Sequence, residues 1–263
     1  MAASGETRYI VFDTESVVDA DLLARVLFPG EELPPDAALA RYREEKGDPD
    51  AFVPVTFHVP IAVAVARVGA DFRLQDISAL DAPRFDSKRM VELFWKGVGH
   101  YDRSVLVDFN GRGFDLPLLT FAAFRYGLSC PRYFADDRFG FRYRFTDRHL
   151  DLMEWLSEYG AVRVAGGLDL LAKLLGKPGK MTTTGARVAE LWADGKLAEI
   201  NAYCIHDVLD TYFVFLRTRV LTGELALDVE AEIVAATRRW LASRADEQPA
   251  LRPYLENFGV WNA

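Results

Sequence analysis

Apolar positions follow two rhythms along the chain. Near its start, Tyr9-Ile10-Val11-Phe12 is a short run of β-branched and aromatic residues. It predicts a strand over 8–13 that is buried on both faces. His58-Val59-Pro60-Ile61-Ala62-Val63-Ala64-Val65-Ala66 predicts a second strand, Phe72 to Leu80 a third, and Ser104 to Phe109 a fourth. Between the last two, Ser87 is placed to cap a helix running to about Tyr101. The fourth strand enters a turn at Asn110-Gly111-Arg112-Gly113. A helix then runs from about Asp115 to Tyr126, with Gly127 closing it. From there the spacing is helical over about 149–158, 167–175, 186–194, 197–221 and 227–244. Early strands followed by strand–helix units predict a mixed α/β domain. The segment 19–57 breaks the pattern. Its EELPPDAALARYREEKGDPD is rich in proline and acid and predicts an inserted lobe, partly helical at best.

Composition changes this picture little. At 263 residues, half of them hydrophobic and 27% charged, the chain can bury a substantial core. The lead MAASGETR lacks the apolar centre of an export signal, and no apolar run has membrane-spanning length. Cys130 and Cys204 make neither a CxxC nor a metal-finger spacing, so free thiols in a reducing, cytoplasmic compartment are expected. The net charge of −8 argues against a general basic nucleic-acid surface. A carboxylate cluster would contribute to that charge, and bound divalent cations would reverse the local field.

Three groups of residues carry candidate chemistry. Asp13 and Glu15 are two apart at the end of the first strand and share one side of it. Hard carboxylate oxygens suit Mg²⁺ or Mn²⁺, although an isolated pair of this kind is more often a solvated loop start. The second group is Asn110-Gly111-Arg112-Gly113-Phe114-Asp115-Leu116-Pro117, with an acid in the first turn of a helix. A helix-start carboxylate, turn-forming glycines and a core Phe114 explain it equally well. The third is Tyr203-Cys204-Ile205-His206-Asp207, where Tyr203 and Asp207 share a helix face. They form either a plain hydrogen-bonding pair or a metal-binding carboxylate with a phenol that holds a water.

In this order the three groups resemble the motifs of the DEDD superfamily of 3′–5′ exonucleases: D-x-E at Asp13 and Glu15, N-x-x-x-F-D-x-P at Asn110, Phe114, Asp115 and Pro117, and Y-x-x-x-D at Tyr203 and Asp207. The histidine subtype places His five residues before the last Asp. Ala202 holds that slot, so the tyrosine subtype is the better match. The stretch from Leu168 through Leu221 is similar to stand-alone bacterial proteins related to the proofreading domain of family-B DNA polymerases. The resemblance covers the motifs and most of 100–225, and is vague over 19–57 and after about 225.

The resemblance implies a single 3′–5′ exonuclease domain over 1–263, with a core at about 8–225, the insertion at 19–57 and a helical C-terminal extension from about 226. Its expected fold is a ribonuclease-H-like mixed central β-sheet flanked by helices, with a helical C-terminal part. The implied activity is two-metal hydrolysis, with Mg²⁺ or Mn²⁺, from the 3′ end of single-stranded nucleic acid, DNA favoured and RNA open. Asp13 would bridge the cations, Glu15 and Asp207 would complete the tighter site, and Asp115 would hold the second cation. Tyr203 would orient the attacking water.

Thr14, Asn110, Phe114 and Lys180 are candidates for substrate contact, each with a plain structural alternative. Asp151 either supports the site from behind or faces solvent near a helix start. His58 and His149 lack ligand spacing, and His206 points about 100° away from Asp207 on a helix. Arg238-Arg239-Trp240 reads as a snorkelling helix face, with contact to nucleic acid as the alternative. The rival reading is a catalytically silent ribonuclease-H-like module that binds nucleic acid or a partner, and the complete acid set weighs against it. Proofreading, DNA repair and RNA trimming fit the sequence equally, and it specifies no oligomeric state.

Overall fold

The computed structural model describes residues 6–135, 140–143, 145–181 and 185–259. The first five residues of the polar lead and the last four of the C-terminal extension lie outside these. Five strands form one sheet: β1 (Thr7–Val18), β2 (His58–Gly69), β3 (Leu74–Ala79), β4 (Val105–Asp108) and β5 (His149–Asp151). Their order is β3-β2-β1-β4-β5. β1 to β3 are antiparallel neighbours, while β4 and β5 run parallel to β1. The expected mixed sheet is present.

Strand β1 organises the molecule. Ile10, Val11 and Phe12 are each at most 3% exposed, as the apolar run predicts. Alternation sends Val11 to one face of the sheet and Ile10 and Phe12 to the other. Val11's face is covered by α8 (Leu197–Leu221), a 25-residue helix that is apolar nearly all round. The opposite face is covered by α3 (Ser87–His100) and α4 (Asp115–Tyr126). β1 pairs with β4 only through Tyr9, Ile10 and Val11, yet follows β2 as far as Val18. Asp13 and Glu15 therefore sit inside a longer strand than the sequence predicts, just past the point where its parallel partner stops.

Other expectations change in detail. Residues 19–57 form a lobe with two helices, α1 (Ala20–Leu27) and α2 (Pro35–Lys46). Leu23, Phe28, Ala38, Tyr42 and Val53 give it a small core of its own. An ion pair of 2.6 Å between Asp19 and Arg125 ties it to α4. Helix α3 is capped by Asp86, not Ser87: the Asp86 carboxylate accepts from Arg89 N, and Ser87 is the first helical residue. The helix expected over 149–158 is in fact strand β5 followed by the short α5 (Leu152–Leu156). Pairing with β4 overrides helical spacing there.

The C-terminal half continues with α6 (Gly167–Leu174), α7 (Gly185–Ala193), α9 (Leu227–Arg244) and α10 (Leu251–Glu256), the last two within the helical extension expected from about 226. Helix α10 packs on α8 through Tyr254, whose buried hydroxyl donates to Asp210 at 2.6 Å. Burial pushes the Asp210 carboxyl up to about 8, which favours its neutral form. Cys130 and Cys204 are free thiols. No helix among the described residues is long and apolar enough to cross a membrane.

Candidate active site

The acids follow from the alternation along β1. Asp13 and Glu15 continue Val11's face and meet α8, where Tyr203 and Asp207 project one turn apart. One carboxylate oxygen from each of Asp13, Glu15 and Asp207 lies within 4.8 Å of the others, a spacing that a single cation can span. The donor set is all hard oxygen, which fits Mg²⁺ or Mn²⁺. Thr14 continues Phe12's face instead and is buried there. Its hydroxyl donates to Asp115 at 2.5 Å, which holds that carboxylate at the start of α4.

At this spacing Asp13, Glu15 and Asp207 repel one another, and the charge of Asp115 acts on Asp13 and Glu15 as well. Burial is the largest effect on Asp13 and Glu15, and the neighbouring acids add to it, so both stand well above the ordinary carboxylate range. Burial lifts Asp115 to about 7, offset in part by the Thr14 hydroxyl. Burial lifts Asp207 to about 6, offset by a hydrogen bond from Tyr203 and by the charge of Lys180. The Tyr203 phenol is raised by burial and then by Asp207, Glu15 and Asp13, so it stays protonated. The Cys204 thiol lies beneath the cluster, donating to the Asp13 carbonyl at 3.3 Å.

The second motif rests on two buried carboxylates that the sequence reading left out or left open. Asp108 ends β4, accepts from Gly111 N at 3.0 Å and pairs with His149 Nε2 at 2.6 Å. A side chain at position 111 would run into the Asp108 carboxylate, so glycine is required there. Asp151 ends β5 and caps α5, taking Met153 N and Glu154 N. It also accepts from Asn110 N at 2.9 Å and Arg112 N at 3.1 Å. Asp151 thus stands behind the site rather than facing solvent. Asn110 takes a left-handed conformation with φ of 71°, which Asn tolerates better than most residues. An Asp that closes a run of apolar residues in the sequence also marks Asp13, and it could have flagged Asp108.

Phe114 is half-buried, its ring against Phe52 and His58. Lys180 is exposed on the loop after α6. Its backbone N–H donates to Asp169 at 2.6 Å, and its charge acts on Glu15 and Asp207. Asp169, which fixes that loop, carried no signal in the sequence. His206 bonds to the Ala250 carbonyl at 2.6 Å, away from the acids. Arg238 lies over the Phe258 ring at 5.3 Å, in keeping with a snorkelling face.

A mixed sheet with this order, clasped by helices and carrying inward-facing acids on its central strand, defines a ribonuclease-H-like domain with a cation-ready centre. The family model described as "Predicted 3'-5' exonuclease related to the exonuclease domain of PolB" matches residues 50–258, and the chain belongs to that family. The matched stretch contains Asn110, Asp115, Asp151, Tyr203 and Asp207, and begins after Asp13 and Glu15. The fold is similar to that of the family B DNA polymerase from the hyperthermophilic archaeon Pyrobaculum calidifontis, with 19% identity and a TM-score of 0.51. That likeness covers 81% of this chain and 24% of the polymerase. No curated protein matches the chain.

Proposed function

We propose that this chain is a 3′–5′ exonuclease that removes nucleotides from single-stranded nucleic acid, DNA favoured over RNA, with two Mg²⁺ or Mn²⁺ ions, as a single cytoplasmic domain. The observation that carries the reading is the convergence of Asp13, Glu15 and Asp207 within 4.8 Å, with Asp115 acting electrostatically on Asp13 and Glu15. Unneutralised, such a cluster costs the fold stability, so it is kept for a cation to occupy.

Bound divalent cations supply Lewis-acid activation of water and charge stabilisation at the scissile phosphate. Asp13, Glu15 and Asp207 would hold one and Asp115 the other, with Asp13 shared. Thr14 holds the Asp115 carboxylate in place through its hydroxyl. Tyr203, protonated and hydrogen-bonded to Asp207, serves as a donor that orients the attacking water and not as a base. Lys180 brings positive charge to Glu15 and Asp207 and would meet phosphate there. Asn110 and Phe114, on the turn before Asp115, would meet the terminal nucleotide.

The test is degradation of matched 5′-labelled single-stranded DNA and RNA with Mg²⁺, Mn²⁺ or EDTA, alongside Asp13→Ala. Metal-dependent shortening from the 3′ end, lost in the variant, is expected. A folded protein that shortens neither strand with either metal would overturn the proposal in favour of a silent binding module.

A further inference from the structure

The last turn of the inserted lobe leaves one large ring in the open. Val53 is buried in the lobe's small core, and the neighbouring Phe52 is therefore turned outward, 65% exposed. An exposed Phe on a loop is ordinarily free to rotate. This one is held. Its ring stacks on His58 at 5.6 Å with an interplanar angle of 28°, and lies 6.1 Å from the Phe114 ring. His58 meets Phe114 edge-on at 5.9 Å, so the three rings form one cluster. The His58 ring is fixed at both nitrogens, Nδ1 to the Ser16 hydroxyl at 2.9 Å and Nε2 to the Val53 carbonyl at 3.0 Å.

Two chain links bind this cluster to the acids. Ser16 directly follows Glu15 on β1, and Phe114 directly precedes Asp115 at the start of α4. The outer surface of Phe52 is thus an exposed apolar face set one ring outward from Phe114, the residue that precedes Asp115. Such a face meets one part of the proposed substrate: each base carries a π-surface, and stacking is indifferent to sequence. We propose that Phe52 stacks on the penultimate base of a single-stranded 3′ end whose last phosphodiester lies at the acids. This assignment rests on the exonuclease reading. It gives the inserted lobe a role as one wall of the strand-binding cleft.

Single-stranded DNA carrying either a normal base or an abasic sugar at the penultimate position separates the two ideas. KM for 3′ shortening with Mg²⁺ or Mn²⁺ is measured for the wild type, Phe52→Ala and Phe52→Trp. The wild type is expected to favour the strand with the base by about tenfold, in line with one stacked base. Phe52→Ala should bring that ratio close to one, and Phe52→Trp should restore it. If Phe52→Ala leaves the ratio intact, by changing both KM values equally or neither, the stacking role falls and the exonuclease stands. Shortening of neither strand by the wild type would overturn both.

Discussion

At the scale of single residues, the centre assigns distinct work to groups that look alike in the sequence. Asp13 is the most surrounded acid: Asp115, Asp207 and Glu15 all act on it, and Cys204 donates to its oxygens. Asp13→Ala should lower kcat by more than about a hundredfold, since losing even a group behind a metal ligand costs tenfold to a hundredfold. Tyr203→Phe is milder. The phenol is too weak an acid to carry the proton, so on the proposed reading its loss would remove orientation alone. A fall of about tenfold to a hundredfold in kcat with KM nearly unchanged is expected. A large rise in KM with kcat intact would place Tyr203 on the substrate instead. Both side chains were legible as candidates because period two on a strand and period four on a helix align them. The Thr14 bond to Asp115 was not legible, because it joins residues 101 apart across the fold.

At the scale of elements, long periodic segments were legible and short paired ones were not. β1, β2, α3, α4 and α8 follow from apolar spacing and turn residues. β5 has three residues, too few to show a period, and it exists because β4 offers a free edge. Its last residue, Asp151, is the joint between sheet and site. Four backbone N–H groups converge on its carboxylate, two from the motif-two turn and two from α5. Asp151→Ala leaves these donors without their acceptor and should cost about 3 kcal/mol, the upper end for a bond to a charged group. That corresponds to a fall of about 6–12 °C in Tm for a chain of this size. Activity should fall with it, because the turn that sets Asn110 and Asp115 loses its anchor. Asp151→Asn keeps the oxygen that takes Asn110, Met153 and Glu154, so it should recover most of the stability. A Tm unchanged in Asp151→Ala would show that the turn stands on Asp108 alone.

At the scale of the whole molecule, the acids couple folding to pH and to metal. The sign is fixed by the direction of the shifts. Asp115 at about 7 and Asp207 at about 6 both stand above their unfolded value, and Asp210, at about 8, adds to them. Such groups favour the fold while protonated, so their support of the metal-free protein should be full below about pH 4 and be lost as pH rises from there to about 8. On the proposed reading divalent cations should act in the opposite sense, because they would bind only the ionised cluster of the folded state. At a hundred times Kd, binding adds about 2.7 kcal/mol, or roughly 5–10 °C in Tm. The rise on adding Mg²⁺ or Mn²⁺ should therefore be large at pH 8 and small at pH 5. Even at pH 8 the cations should not restore all that is lost, since Asp210 bonds to Tyr254 and lies outside the group that binds them. Asp13→Asn removes one repelling charge and one ligand together. It should raise the Tm of the metal-free protein at pH 8 and abolish most of the metal-induced rise. Calorimetry of both proteins in EDTA, Mg²⁺ and Mn²⁺ across this pH range measures each of these outcomes. An equal metal response at pH 5 and pH 8, or one that survives Asp13→Asn, would mean that the cations bind elsewhere and that the cluster is neutralised by protons alone.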